Sequence, residues 1–369
     1  MIKLSQKTSM TDVLSWDLSR NAAFEISRSA GFEVGVQGVA LSSLRNVCSN
    51  EQPLLLDCEF EEPSTSESVD NTIFSTPFGY SLARLASEIT FAKINASPKF
   101  KALLASIYSQ RGGELGDGKQ CSLVCVDPRF SLPPALRKHA DKDGPSEFPA
   151  PSSFSTELRR MSTGMGFSNL LNSTTETSLI SYVYEIFRNA LEHGVTGSPT
   201  RSTRALILEK IVLQGTALAS RQISTELRGY LNRISESGGS ETGLGVMCIT
   251  VADQGTGIQS TLPQAHDIET SEEKFIRAFA AGESRKPKGL VSRGLGLPNA
   301  VTAAHKLGAM IQITSGDLTY THDFSTGDDK YPVLDFSKIC PLPSRKSLGT
   351  SISIYIPEYS INLDQHKLF

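Results

Sequence analysis

The run Val246-Met247-Cys248-Ile249-Thr250-Val251-Ala252 is apolar almost throughout and stops at Asp253-Gln254-Gly255-Thr256-Gly257. Such a run reads as a strand buried in a sheet, because a strand covered on both faces shows no polar alternation. Its terminal carboxylate narrows the choice of fold further, since an acid at the end of a buried strand costs free energy unless it meets a partner or a ligand. Upstream, Tyr184-Glu185-Ile186-Phe187-Arg188-Asn189-Ala190-Leu191-Glu192-His193-Gly194 carries an acid, an amide and an imidazole at four-residue steps. On a helix each step advances by about 40°, so Glu185, Asn189 and His193 share one face. Val183, Ile186, Phe187 and Ala190 form the neighbouring apolar stripe, and Gly194 suits the C-terminal stop.

Two more signals follow in order. Gly294-Leu295-Gly296-Leu297 opens a helical pattern through Ala300, Val301, Ala304 and Leu307, with Pro298 at an early position where a missing amide hydrogen costs little. Gly349-Thr350 precedes the alternating strand Ser351-Ile352-Ser353-Ile354-Tyr355-Ile356, closed by Pro357. Taken singly these are an amphipathic helix, a strand exit, a glycine-rich turn and a last strand. Taken in this order they resemble the GHKL ATPase superfamily, the nucleotide-binding fold of gyrase-type ATPases, histidine kinases, mismatch-repair ATPases and anti-sigma-factor kinases. The resemblance covers residues 155–358 and leaves the first part of the chain unread.

The resemblance implies an α/β sandwich, a mixed sheet with helices on one face, holding ATP and Mg²⁺. By it, Asp253 accepts a hydrogen bond from the exocyclic amine of adenine, Gly255 and Gly257 let the backbone pass close to the base and sugar, and Thr350 joins the aspartate around the base. Asn189 supplies an oxygen to Mg²⁺. Glu185, one turn earlier, is placed to orient or deprotonate an attacking water. Gly294, Leu295, Gly296 and Leu297 offer amide donors and the positive end of a helix to the phosphates. Residues 258–293 would form a lid, whose basic run Arg285, Lys286, Lys288 and Arg293 could neutralise phosphate charge or stay solvated. His193 would support the residues around the metal or cap the helix rather than take part in catalysis.

The remainder reads as a smaller α/β module. A weak helical pattern over residues 11–30 leads past Gly31 to a candidate strand, Phe32-Glu33-Val34-Gly35-Val36, and a better one, Pro53-Leu54-Leu55-Leu56-Asp57-Cys58. Acidic and polar residues 61–68 read as a loop. Helical patterns over 80–93 and 98–110 then precede an apolar strand over 121–126, an alternation that favours parallel pairing. Prolines 128, 133, 134, 145, 149 and 151 break regular structure. They place a linker over 127–156 and divide the chain into 1–150 and 151–369. Residues 215–242 and 317–347 exceed the family's usual connections and read as insertions.

Composition bounds the function. A net charge of -3 gives no general argument for nucleic acid. No apolar stretch approaches the roughly 20 residues that span a bilayer, and no secretion signal opens the chain, so a cytoplasmic protein is expected. The six cysteines lack paired metal spacings and read as thiols. The expected function is an ATP-binding, Mg²⁺-dependent, ATP-hydrolysing switch that couples nucleotide state to a protein partner or to the N-terminal module. Two alternatives stay open. One is a serine or histidine kinase of the anti-sigma or two-component type, for which His139 in the linker is a poor autophosphorylation site. The other is an ATP-bound module that does not hydrolyse. A homodimer also stays open.

Overall fold

The computed structural model describes residues 1–18, 22–50, 53–116, 120–126, 132–137, 148–167, 174–195, 202–213, 223–237, 244–265, 268–280, 296–326, 332–342 and 348–358. It is a mixed α/β protein whose described strands form two sheets. The N-terminal sheet runs in chain order: β1 (Ile2–Leu4), β2 (Ala22–Ile26), β3 (Leu54–Cys58) and β4 (Glu88–Phe91) are parallel, and β5 (Ile94–Asn95) returns antiparallel. Parallel neighbours need crossovers. These carry α1 (Met10–Ser15), then α2 (Val36–Ser43) and α3 (Arg45–Asn50), then α4 (Ser66–Asp70) and α5 (Pro77–Leu85). Helix α6 (Ser97–Gln110) follows β5.

Local chemistry sets several of these starts. A Ser9–Asp12 capping box opens α1, and Pro77 occupies the first turn of α5 while Thr76 Oγ1 accepts the Gly79 N–H at 3.1 Å. A Thr65–Ser68 capping box starts α4 in the segment expected to be a loop, and Arg111 holds Asp70 through two hydrogen bonds of 2.7 Å. Three further expectations are corrected. The pattern over 11–30 splits into α1 and β2, and that over 80–93 into α5 and β4. The candidate strand at 32–36 becomes a turn, because Gly35 adopts a left-handed φ of 78° and starts α2.

The second sheet has the order β12-β11-β10-β13-β9-β8-β7-β6, made of β6 (Glu114–Gly116), β7 (Gln120–Cys125), β8 (Arg204–Leu213), β9 (Leu244–Asp253), β10 (Met310–Gly316), β11 (Leu318–Asp323), β12 (Cys340–Pro341) and β13 (Leu348–Pro357). Its described pairs are all antiparallel, so the mixed sheet expected here is not found and parallel pairing is confined to the first sheet. Strands β6 and β7 precede the expected boundary at 150 yet belong to this sheet: Leu123 pairs with Leu206 across β7 and β8. The proline-rich stretch therefore crosses from one element of this sheet's unit to the next, through α7 (Pro134–Arg137), rather than separating two folding units. Residues 317–347 contain the added strands β11 and β12.

Alternate residues of β8 and β9 face opposite ways. Leu206, Leu208, Ile249 and Val251 pack with α8 (Pro151–Gly164), α9 (Thr174–His193) and α13 (Gly296–Lys306). Ala205, Ile207 and Ala252 pack with the N-terminal module, whose helix α2 is buried along its whole length. Farther along that same face, α10 (Thr225–Ser237) lies within the expected 215–242 insertion, and Tyr230 Oη donates to the Tyr355 carbonyl at 3.0 Å. The order of layers is thus sheet, helices, sheet, helices. Helices α11 (Ile258–Thr261) and α12 (Ser271–Ala278) lie in the expected lid region, of which residues 266–267 and 281–293 are outside the described residues. No helix among the described residues is long and apolar enough to cross a membrane.

Candidate functional site

Helix α9 buries Val183, Ile186, Phe187 and Ala190 against the second sheet, and its neighbouring face carries Glu185, Arg188, Asn189 and His193, all half-buried. The four-residue spacing thus produces the shared polar face that periodicity predicts. Glu185 lies 3.7 Å from Arg188 as an i,i+3 ion pair. The Asn189 side chain hydrogen-bonds to no described residue. The helix closes when the Gly194 N–H donates to the Ala190 carbonyl at 2.8 Å. A side chain at 194 is sterically barred: a Cβ there would lie 2.5 Å from the Asp253 Cβ and 3.0 Å from Arg204 Cγ. The end of α9 is therefore pressed directly onto the end of β9.

Asp253 sits at that junction, 7% exposed. Its register partners are Arg204 on β8 and Thr350 on β13, so the three form one rank across the sheet. The Oδ1 atom accepts the Gly255 N–H at 2.8 Å and the Thr350 N–H at 3.3 Å. Among the described residues no protein donor reaches Oδ2. Burial pushes the carboxyl up from 3.8 to about 6, while the two backbone donors and the nearby Arg204 pull the other way. The carboxyl thus keeps one oxygen, Oδ2, open as an acceptor. That atom can select a ligand amine.

The turn after Asp253 is braced from the far side. Gly257 has a left-handed φ of 89°, and the Ile258 N–H donates to Ser315 Oγ at 2.7 Å. Gln259 Nε2 donates to the Ser315 carbonyl at 2.9 Å, and Ser315 Oγ lies 3.3 Å from Thr350 Oγ1. These bonds tie the turn to β10 and β13 and hold Thr350 beside Asp253.

Of the residues expected at the site, Asp253, Gly255 and Thr350 are in direct contact. Glu185 and Asn189 lie back along α9, whose C-terminus touches them through His193 and Gly194. Gly296 and Leu297 start α13, which packs alongside α9. Lys286, Arg293, Gly294 and Leu295 lie outside the described residues, as do Arg285, Lys288 and the linker's His139. No group of three or more His, Cys, Asp or Glu side chains suited to a metal occurs among the described residues. An oxygen-donating amide that shares a cation with phosphates is a different donor set, and the open amide of Asn189 fits it.

Two residues escaped the sequence reading. Arg204 is 3% exposed, donates to the Leu191 carbonyl at 3.4 Å and to Cys125 Sγ at 3.2 Å, and keeps an unpartnered Nε among the described residues. It caps the last turn of α9 beside Asp253. Gln254 is fully buried on the opposite side of the sheet. Strand parity was the only sequence signal for it: if Asp253 faces α9, its neighbour faces away. No protein-family model, curated protein or solved structure matches this chain.

Proposed function

We propose that the second sheet with α8, α9 and α13 is an ATP-binding unit of GHKL type and that the protein is a nucleotide-dependent switch. The observation that carries the reading is the buried Asp253, held by two backbone N–H groups at Oδ1 and with Oδ2 unmet by any described donor, at the end of β9 under the terminus of α9. On this reading Asp253 takes the exocyclic amine of adenine, and Thr350 holds the carboxylate in place from the neighbouring strand. Guanine presents a carbonyl at that position and would meet an acceptor with an acceptor. Asn189 would hold Mg²⁺ through its amide oxygen, and the start of α13 would face the phosphates. The metal supplies charge neutralisation between phosphate oxygens. Glu185 would orient the attacking water once it is released from Arg188.

The Glu185–Arg188 ion pair gives specific support to a second reading, in which ATP is bound and not turned over. An arginine that keeps the carboxylate occupied removes the base and leaves binding intact. Calorimetry with ATP, GTP and Mg²⁺, run beside a phosphate-release assay, separates the two. Uptake of ATP over GTP, lost in Asp253→Asn, supports the site. Phosphate release lost in Glu185→Ala with binding retained supports hydrolysis, and binding with no release over hours supports the second reading. Labelled phosphate moving from ATP to another protein would instead make the chain a kinase. No adenine-nucleotide uptake would remove the proposal.

A further inference from the structure

Gln254 stands one peptide beyond the proposed adenine ligand and points the other way, into the N-terminal module. Its side chain is completely buried and satisfied from four directions. Oε1 accepts the Thr203 N–H at 2.8 Å and the Cys48 thiol at 3.0 Å, and Nε2 donates to the Leu41 carbonyl at 3.2 Å and to Ser81 Oγ at 3.1 Å. Leu41 belongs to α2 and Ser81 to α5, and Cys48 lies in α3. Thr203 immediately precedes Arg204, the cross-strand neighbour of Asp253, and its hydroxyl donates to Ser81 Oγ at 3.0 Å. One amide therefore fastens three helices of the N-terminal module to the two strand ends that carry Asp253 and Arg204.

A buried amide with every bond made is costly to disturb, because breaking one bond strands a donor or an acceptor away from water. We propose that Gln254 is the positioning residue through which the N-terminal module regulates the nucleotide site. This inference rests on the ATP-site reading above. When Asp253 and the Gly255 N–H rearrange around a ligand, the shared backbone moves Gln254, and the three helices must follow or lose their bonds. Linkage is reciprocal, so a change in how α2 and α5 sit alters nucleotide affinity by the same factor. The natural effector is then whatever shifts the N-terminal module, and the readout is nucleotide binding.

The test uses the full chain, a non-hydrolysable ATP analogue and Mg²⁺, with hydrogen exchange measured over residues 36–43 and 77–85. In the wild type the analogue should slow exchange in both segments, and in Gln254→Leu that response should vanish. Ser81→Ala is the milder variant. It touches none of the residues assigned to the nucleotide, yet losing its bond to Gln254 should weaken analogue binding by about fivefold. Analogue binding without any exchange response in these helices, or an undiminished response in Gln254→Leu, overturns the inference while leaving the ATP site standing. Unchanged affinity in Ser81→Ala also overturns it. Absence of analogue binding to the wild type overturns the site reading and this inference with it.

Discussion

The two faces of the eight-stranded sheet are built from different residues. Toward α8, α9 and α13 the strands present Leu206, Leu208, Ile249, Val251, Ile311, Ile313, Ile352 and Ile354, all buried. Toward the N-terminal module and α10 they present a mixture, in which Val124, Ala205, Ile207, Ala252, Met310 and Tyr355 share the face with Gln120, Ser122, Glu209, Thr250, Gln312, Thr314, Ser351 and Ser353, all buried. Some of this second set is paired: Glu209 accepts the Gly35 N–H at 2.8 Å, and the Thr250 and Ser353 hydroxyls lie 2.8 Å apart. Thr314 Oγ1, Ser351 Oγ and the Gln37 Oε1 of α2 have no partner among the described residues. A fully buried leucine or isoleucine contributes about 1.5–3 kcal/mol. A buried polar atom without a partner costs about 1–3 kcal/mol. The first face is therefore apolar at every one of these positions, while the second combines apolar packing with hydrogen bonds and carries the unpartnered polar atoms.

Phe187 is fully buried and stacks on Phe154 with ring centroids 5.6 Å apart. Phe187→Ala should cost about 3–5 kcal/mol in urea unfolding. A loss below that of an ordinary surface change would deny the first face its role.

Asp253 on the rim of the same face gives a pH-dependent effect nearly as large. Its folded value of about 6 lies above the ordinary 3.8, so folding favours the protonated acid. The stability this group contributes is complete below about pH 4 and is lost as pH rises through about 6, by about 3 kcal/mol in total. Asp253→Asn carries no such titration. Unfolding measured at pH 4 and at pH 7 should show the wild type losing about 2 kcal/mol relative to the variant over that interval. An equal difference at both pH values would mean that the carboxyl is not held in a dry site.

The elements of the first face were largely legible in sequence, because they depend on local pattern. The apolar run before Asp253 and the four-residue spacing of Glu185 and Asn189 each describe one element, and β9 and α9 follow them. The second face was not legible. Helix α2 is buried on every side, so Val36, Gln37, Gly38, Val39 and Ala40 show no amphipathic period to read. The alternation of Ser351, Ser353 and Tyr355 with isoleucines reads as a strand with one wet side, whereas that side is covered. The membership of β6 and β7 was hidden for a related reason. Pairing to β8 is a contact across some 80 positions of chain, and prolines between the strands look locally like a boundary. Gln254 belongs to this second class, since its partners come from three distant helices.

A smaller effect is expected where α2 meets the polar face. A Cβ on Gly38 would lie 2.4 Å from Thr250 Cγ2 and 2.6 Å from Ser351 Oγ. Gly38→Ala must push the helix off the sheet, at about 1–3 kcal/mol. Hydrogen exchange should then rise in residues 36–43 and stay unchanged in α9. Equal loosening of α9 would show that the two faces are one cooperative unit and would cancel their distinction.

The smallest change discriminates most finely. Ser351→Ala removes a buried hydroxyl that has no partner among the described residues, so the variant escapes a desolvation cost and gives up little packing. Its unfolding free energy should match the wild type or exceed it by up to about 1 kcal/mol. The same hydroxyl is one of the atoms a Gly38 side chain would strike. The double variant Gly38→Ala with Ser351→Ala should therefore be less damaged than the sum of its parts, by about 0.5–1 kcal/mol. Strict additivity would place the strain of Gly38→Ala on Thr250 alone. A loss of stability in Ser351→Ala by itself would show that this serine is bonded, and that the second face is as firmly built as the first.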